Sequence, residues 1–469
     1  MFDLAKYSEQ IVAIDEYGNN KTYAELVTFS NEVALKLPTR NFIFSFCENS
    51  IGALFGYVSF INNRSVPLML NRDFDEDLVR GLVKRYKPSH FWIPKDLANI
   101  FYSDTTNVVM EAFGYELIST GFDDVAMHDD LALLLPTSGS TGSPKLVKLS
   151  YENIESNALS IINYLEIDKS ERPITSLPMN YSYGLSIINS HLIAGATILL
   201  TTKSIMQREF WDFFKEQKAT SLSGVPYNYQ ILKKIRFFKM SLPSLRYMTQ
   251  AGGRLEPDLQ REFAEYAQKN ALKFVVMYGQ TEATARMGYL PWHESLSKCG
   301  YVGIAIPGGE FSLIDDAGNQ VNEANVTGEL VYEGANVFLG YSEVREDLMK
   351  GNEHNGTLYT GDMAQFDTDG HFKIVGRKKR FIKLFGNRIN LDSAEQIVRS
   401  HFKDFESVCS GNDDKMYVFV TTDNSEVKAE VRKYLSHKIG IHFSGLQIES
   451  IDSIPKNESG KVQYKKLPF

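Results

Sequence analysis

Three apolar runs in this chain stop abruptly and lead straight into glycine-bearing polar loops. They are "LALLLPTSGSTGSPK" (residues 131–145), "LRYMTQAGG" (245–253) and "LKFVVMYGQTE" (272–282). A short apolar run closed by turn residues reads as a strand buried on both faces. Such strands belong to parallel sheets, and in open α/β sheets ligands gather at the carboxyl ends of the strands. Segments with helical spacing lie between them: residues 22–37, with Thr22 and Glu25 in a T-x-x-E capping box, then 50–63 and 208–217. Residues 41–46, 65–70, 174–178 and 196–200 read as further strands, and "HLIAGATILL" (191–200) as a buried strand with a turn. The alternation predicts a large α/β N-terminal domain of mainly parallel sheets flanked by helices.

The texture changes after about Gly300. "EFSLIDDAGNQV", "GELVYEG" and "DMAQFDTDGHFKIVG" are short β runs separated by tight turns, which predicts an antiparallel, barrel-like β subdomain. After "GRKKR" (376–380) a strand–helix–strand–helix pattern predicts a small α+β C-terminal domain. The expected boundaries are residues 1–377 and 378–469. At 469 residues, 43% of them hydrophobic and 23% charged, the chain can bury a large core.

Composition excludes several functions. A net charge of -8 argues against a general nucleic-acid binder. Cys47, Cys299 and Cys409 are widely spaced and odd in number, which fits a reducing compartment and no disulfide framework. No apolar stretch reaches the ~18 residues of a membrane span. Asp3 and Glu9 interrupt the start, so it does not read as a secretory leader, and the expected location is cytoplasmic.

The loop at 137–145 carries the strongest chemical signal. Gly139 and Gly142 permit positive φ, which lets successive N–H groups face one anion. Thr137, Ser138, Ser140 and Thr141 add hydroxyl donors, and Lys145 adds a charge. Ser150 is a candidate helix N-cap. A Ser/Gly linker has the same composition, but a linker is out of place between a buried strand and a helix. The Walker spacing G-x-x-x-x-G-K is absent.

"TSGSTGSPK" resembles the phosphate-binding motif of the adenylate-forming, AMP-binding superfamily. That superfamily holds acyl-CoA synthetases, nonribosomal peptide synthetase adenylation domains and luciferases. Further motifs follow in the family's order. "MYGQTEAT" is similar to Y-G-x-T-E. The resemblance implies that Tyr278, Gly279 and Gln280 lie at the adenine, that Thr281 meets the α-phosphate and that Glu282, with Thr141, holds Mg²⁺. "AGG" (Ala251, Gly252, Gly253) resembles the strand end beside the adenine. "YTGD…GRKKR" implies Asp362 at the ribose hydroxyls, Arg377 at the ribose or phosphate, and a hinge at Lys379. "IPKNESGK" implies Lys461 as the catalytic lysine.

The reaction so implied has two steps. A carboxylate attacks the α-phosphorus of ATP to give acyl-AMP and pyrophosphate. A thiol, either CoA or a carrier-protein phosphopantetheine, then displaces AMP. The catalytic set is Thr141, Lys145, Glu282 and Lys461. Asn180, Tyr181, Ser182, Tyr183, Gly184, Val225 and Tyr227 fall where the family has its acyl pocket. Ser182 occupies the position where amino-acid-activating members have Asp, which argues against an ordinary α-amino acid. Leu146 replaces the family's Gly after the loop lysine, and Ser393 replaces the first Glu of an E-x-E pair, leaving Glu395 with a structural role. No carrier domain follows Lys461, so a carrier is expected on a separate chain. Lys428, Arg432, Lys433 and Lys438 read first as a solvated helix face and second as a surface for an acidic carrier. Transfer to an amine or another non-thiol acceptor is the alternative chemistry, and a nucleotide-binding pseudoenzyme is the non-catalytic one.

Overall fold

A computed structural model of the protein describes residues 2–100, 107–136, 145–385, 387–412, 414–456 and 460–468. The chain divides into two compact units. One takes in Met1–Glu310 and Glu333–Leu358, the other Phe311–Tyr332 and Tyr359–Phe469.

The first unit is built on an eight-stranded sheet. Its centre is parallel: Leu131–Pro136, Val66–Asn71, Phe42–Cys47 and His90–Pro94 lie side by side. All six residues of Phe42–Cys47 are buried, as a strand covered on both faces requires. The helix Ile51–Asn62 starts at Ser50, whose hydroxyl accepts from the Ala53 N–H, and every residue from Ile51 to Ile61 is buried. An all-round apolar helix of this kind needs protein on every side. The capping box expected at Thr22 and Glu25 opens the helix Tyr23–Lys36.

A second sheet sets Ser221–Gly224, Tyr247–Gln250 and Lys273–Tyr278 parallel and in register. Their carboxyl ends therefore share one edge. Phe210, Trp211, Phe214, Tyr229, Phe237, Phe263 and Phe274 pack together beside it. A small third sheet joins Ile198–Leu200 to Ile11–Asp15 and Asn20–Thr22.

Three expectations change. Residues 174–178 form no strand; Ile174 makes a single bridge to Leu199. Pro173 and Pro178 bracket the segment and donate no ladder hydrogen bonds. Residues 191–194 finish the helix Ser182–Ala194, which Gly195 closes in the left-handed conformation at φ +76, so only Ile198–Leu200 is extended. The phosphate-motif loop does not lead directly into a helix. Leu146–Ser150 is a strand antiparallel to Leu131–Pro136, with Pro136 opposite Leu146. Leu146, Val147 and Leu149 are fully buried there, which fixes the extended path before Ser150 caps the helix Tyr151–Leu165.

The second unit begins with a four-stranded sheet in the order Gly309–Ile314, Gly328–Gly334, Thr357–Phe366, Phe372–Arg377. The hairpin Phe381–Leu384/Asn387–Asn390 follows, then the helix Leu391–His401, the sheet of Ser407–Gly411, Met416–Val420 and Leu446–Ser450, and the helix Ser425–Ile439. Val398, Val418, Val431 and Leu435 form its core. The β subdomain expected with the N-terminal part thus packs mostly with the C-terminal part. A compact unit reflects packing in one conformation and a hinge reflects turning between two, so a boundary after Arg377 remains a proposal.

Candidate active site

The edge where the parallel strands end is lined by backbone. Gly279 follows Tyr278, and a Cβ there would stand 1.7 Å from the Ala285 carbonyl oxygen. No side chain fits, so the backbone at this turn is bare by necessity. Gly252, at φ +81, follows the next strand; a Cβ there would stand 2.5 Å from Tyr181 Oη and 3.0 Å from Val225 Cγ1. Ala251 is buried, and Gly253 is exposed beside Pro226. Tyr278, Gln280, Thr281 and Glu282 are all half-buried on this edge.

Two side chains from elsewhere reach the same edge. The hydroxyls of Ser182 and Thr281 lie 3.1 Å apart in a hydrogen bond. Ser182 opens the buried helix Ser182–Ala194, whose first N–H groups have no side-chain cap. Tyr341 Oη donates to Glu282 Oε1 at 2.8 Å. Burial first, and then the Glu282 carboxylate, raises the Tyr341 phenol above its ordinary range, so it stays a donor. The Tyr341 ring also lies 5.5 Å from Lys145 Nζ. Lys145 pairs with Glu343 at 2.5 Å, but both side chains are more than half exposed. A pair of this kind contributes about 0–1 kcal/mol, so a phosphate can displace Glu343.

The next basic residue is held differently. Lys148 is wholly buried and donates to the Asp347 and Lys350 carbonyls and to Glu353 Oε2. It anchors the strand that leaves the phosphate-motif loop. Thr137, Ser138, Gly139, Ser140, Thr141 and Gly142 lie outside the described residues.

The expected acyl-pocket residues divide. Ser182 and Tyr183 are buried, and Tyr183 Oη shares a hydrogen bond with Thr249 Oγ1 at 2.8 Å, which in turn meets Ser223 Oγ at 2.7 Å. Val225 is buried against Gly252, Asn180 and Tyr181 are half-buried, and Tyr227 is 48% exposed. Gly184 has a packing reason for being glycine: a Cβ would stand 2.2 Å from the Pro178 carbonyl oxygen.

The second unit holds the other candidates. Asp362 and Arg377 face each other across paired strands, with Arg377 Nε 3.5 Å from Asp362 Oδ1. Asp362 is buried; Arg377 and Lys379 are exposed. Lys461 is half-buried next to Val462, which bridges Lys456, and the Gln463 N–H donates to the Pro455 carbonyl. Glu395 is structural here. It accepts from Arg380 and Arg399, from the Cys409 N–H at 2.9 Å and from Tyr464 Oη at 3.2 Å. The Arg380 guanidinium lies 3.7 Å from the Tyr464 ring centre. On the helix Ser425–Ile439, Arg432 donates to the Phe443 carbonyl and Lys428 to Ser450.

Sequence reasoning missed Tyr341, which only the "GYS" after an apolar run marks in the sequence.

Comparison with known proteins places this α/β fold and its strand-end cluster. The profile of the family described as AMP-binding enzyme matches residues 3–342. The chain belongs to that family. It is 28% identical over 347 residues to the oxalate–CoA ligase of Arabidopsis thaliana, covering 71% of this chain and 66% of that one. It is 25% identical to tyrocidine synthase 3 of Brevibacillus parabrevis, covering 98% of this chain and 7% of that one. The matches thus span less than two thirds of these relatives' own lengths. Among solved structures, o-succinylbenzoate CoA synthetase of Bacillus subtilis, in complex with its acyl-adenylate, superposes with a TM-score of 0.81 at 21% identity, covering 99% of this chain and 97% of that one. This likeness establishes the fold: a large N-terminal α/β domain and a small C-terminal domain.

Proposed function

We propose that this protein activates a carboxylic acid with ATP and transfers the acyl group to a thiol. In the first step an acid oxygen bonds to the α-phosphorus while the bond to pyrophosphate breaks. In the second the thiol sulfur bonds to the acyl carbon, the thiol proton departs, and the bond to AMP breaks. One observation carries this reading: after a parallel strand whose turn is bare at Gly279, Thr281 bonds Ser182 and Glu282 accepts from Tyr341, whose ring stands 5.5 Å from Lys145 Nζ.

Each residue then has a task. The bare backbone at Gly252 and Gly279 lets a flat base lie close, with Tyr278 as its aromatic face. Thr281 and Lys145 hold phosphate oxygens, with the 137–144 loop. Buried Asp362 accepts from ribose hydroxyls, and Arg377 stands beside it. Glu282, a half-buried carboxylate, fits Mg²⁺, which when bound would neutralise phosphate charge. Lys461 supplies positive charge while the carboxylate attacks. The C-terminal domain, residues 378–469, turns at Lys379 between the two steps. CoA or a phosphopantetheine arm on a separate carrier protein is the acceptor, and the working compartment is the cytoplasm. Among the described residues, no helix is long and apolar enough to cross a membrane.

ATP–pyrophosphate exchange across a panel of carboxylic acids tests the first step, with Lys461→Ala as control, and thioester formation with CoA or a loaded carrier tests the second. Exchange with one acid class, lost in the variant, supports the reading. Absence of ATP binding overturns it.

A further inference from the structure

The turn that carries Thr281 and Glu282 is strained. Thr284 is buried and takes φ +65 with ψ -53. Across it the Ala285 N–H donates to the Ala283 carbonyl at 2.7 Å, which makes a γ-turn of the rare, positive-φ kind. Glycine takes such a φ freely. A β-branched residue there is an outlier, and it persists only where its surroundings over-determine it.

The surroundings do so largely through Asn336, which is buried. Its Nδ2 donates to the Ala283 carbonyl at 2.9 Å and to the Arg286 carbonyl at 3.1 Å, so the amide brackets the strained residue. Thr284 Oγ1 donates in return to the Asn336 carbonyl at 2.8 Å. Two residues on, the Phe338 N–H donates to the Glu282 carbonyl at 2.9 Å. Asn336 is itself fixed from outside. Asn153, on the helix Tyr151–Leu165, donates to the carbonyls of Ala335 and Val337 on either side of it. Asn157 of the same helix donates to the Arg286 carbonyl, and the buried Arg286 side chain donates to Ser186, one turn beyond Ser182.

The strained path shapes the site. It brings the Ala285 carbonyl back against Gly279, and it lets the Met287 N–H reach the Tyr278 carbonyl at 2.8 Å. Residues 279–286 are thereby closed into a loop with Thr281 and Glu282 at its tip. At negative φ, Thr284 would send Ala285 elsewhere and reopen that loop.

We propose that Asn336 is a positioning residue for Glu282: it holds the Thr284 turn in its strained form, and that form aims the carboxylate at the magnesium of Mg-ATP. This rests on the reading above, in which Glu282 is the magnesium carboxylate. Groups that orient a metal's ligands govern its affinity by about 10- to 100-fold.

The test needs no turnover. ATP binding is measured by calorimetry with saturating Mg²⁺ and with none, for wild type, Asn336→Ala, Thr284→Gly and the double variant. The readout is the magnesium gain, the factor by which Mg²⁺ tightens ATP binding. Asn336→Ala should lower this gain by about tenfold, with ATP binding in the absence of Mg²⁺ little changed. Thr284→Gly alone should keep the gain. In the double variant it should restore part of what Asn336→Ala loses, because glycine takes the positive φ without strain. A merely structural Asn336 predicts otherwise: two independent losses that add, and ATP weakened equally with and without Mg²⁺. An unchanged gain in Asn336→Ala, or a double variant no better than Asn336→Ala, overturns this proposal alone. ATP binding by wild type without any magnesium gain overturns the role of Glu282 and this proposal with it; no ATP binding at all overturns the acid-activating reading and both. If Asn336→Ala does not fold, the double variant decides: recovered folding with a gain below wild type supports the proposal, and any other result counts against it.

Discussion

The Tyr341 hydroxyl donates to Glu282 at 2.8 Å while the same ring stands 5.5 Å from Lys145 Nζ. One aromatic residue therefore positions both the carboxylate proposed for the metal and the lysine proposed for phosphate. Tyr341→Phe removes the hydroxyl and keeps the ring. The expected result is a fold-stable enzyme that needs more Mg²⁺ for half-maximal exchange, with kcat lower by about tenfold, in line with loss of one charge-assisted hydrogen bond. A Mg²⁺ titration of pyrophosphate exchange measures both.

Gly279→Ala forces a methyl group against a carbonyl oxygen 1.7 Å away, and neither atom is at the end of a flexible side chain. The turn must shift, carrying Tyr278 and Thr281 with it. A displacement near 1 Å at a reacting centre costs about 100-fold in rate. Exchange should fall at least that far while circular dichroism stays near wild type.

His191 is buried, with Nδ1 against the Ile187 carbonyl and Nε2 against Tyr247 Oη. Burial first, with Arg286 adding repulsion, lowers its pKa to about 4. The unfolded chain therefore takes up this proton near pH 6.5 and the folded chain only near 4. Stability falls as pH drops between those values, by about 3 kcal/mol in total from this group. Urea unfolding of wild type and His191→Gln from pH 7 to 4 should show a steeper loss in wild type.

Glu395→Gln weakens the buried set formed with Arg380, Arg399 and Tyr464. Removing one charge from a buried network of this kind costs about 3 kcal/mol. The expected signature is earlier proteolytic cleavage after residue 455 and slower adenylation, with nucleotide affinity nearly unchanged. Limited proteolysis and ATP titration separate these outcomes.

Local features of the sequence were the most legible. Ser150 and Thr22 cap helices as their hydroxyls and spacing require, and Gly252 and Gly279 sit where strands turn. Long-range partners were not legible. Tyr341 lies 59 residues from Glu282 along the chain, and nothing near either residue marks the pair. The 146–150 strand hid behind a helix cap because its burial depends on neighbours brought in by the sheet. Arg286 was hidden for a related reason: whether an arginine is buried is decided by the Ser182–Ala194 helix and the residues around it.

The contact between Tyr464 and Glu395 has a consequence for timing. Lys461 stands only three residues before that anchor, and its neighbour Val462 is bridged to Lys456. The lysine has almost no slack of its own. In the role proposed for it, Lys461 travels with the C-terminal domain that carries it, on the microsecond-to-millisecond scale of domain motion. Solvent viscosity, which barely affects a swinging side chain, should then act as a brake on the first chemical step.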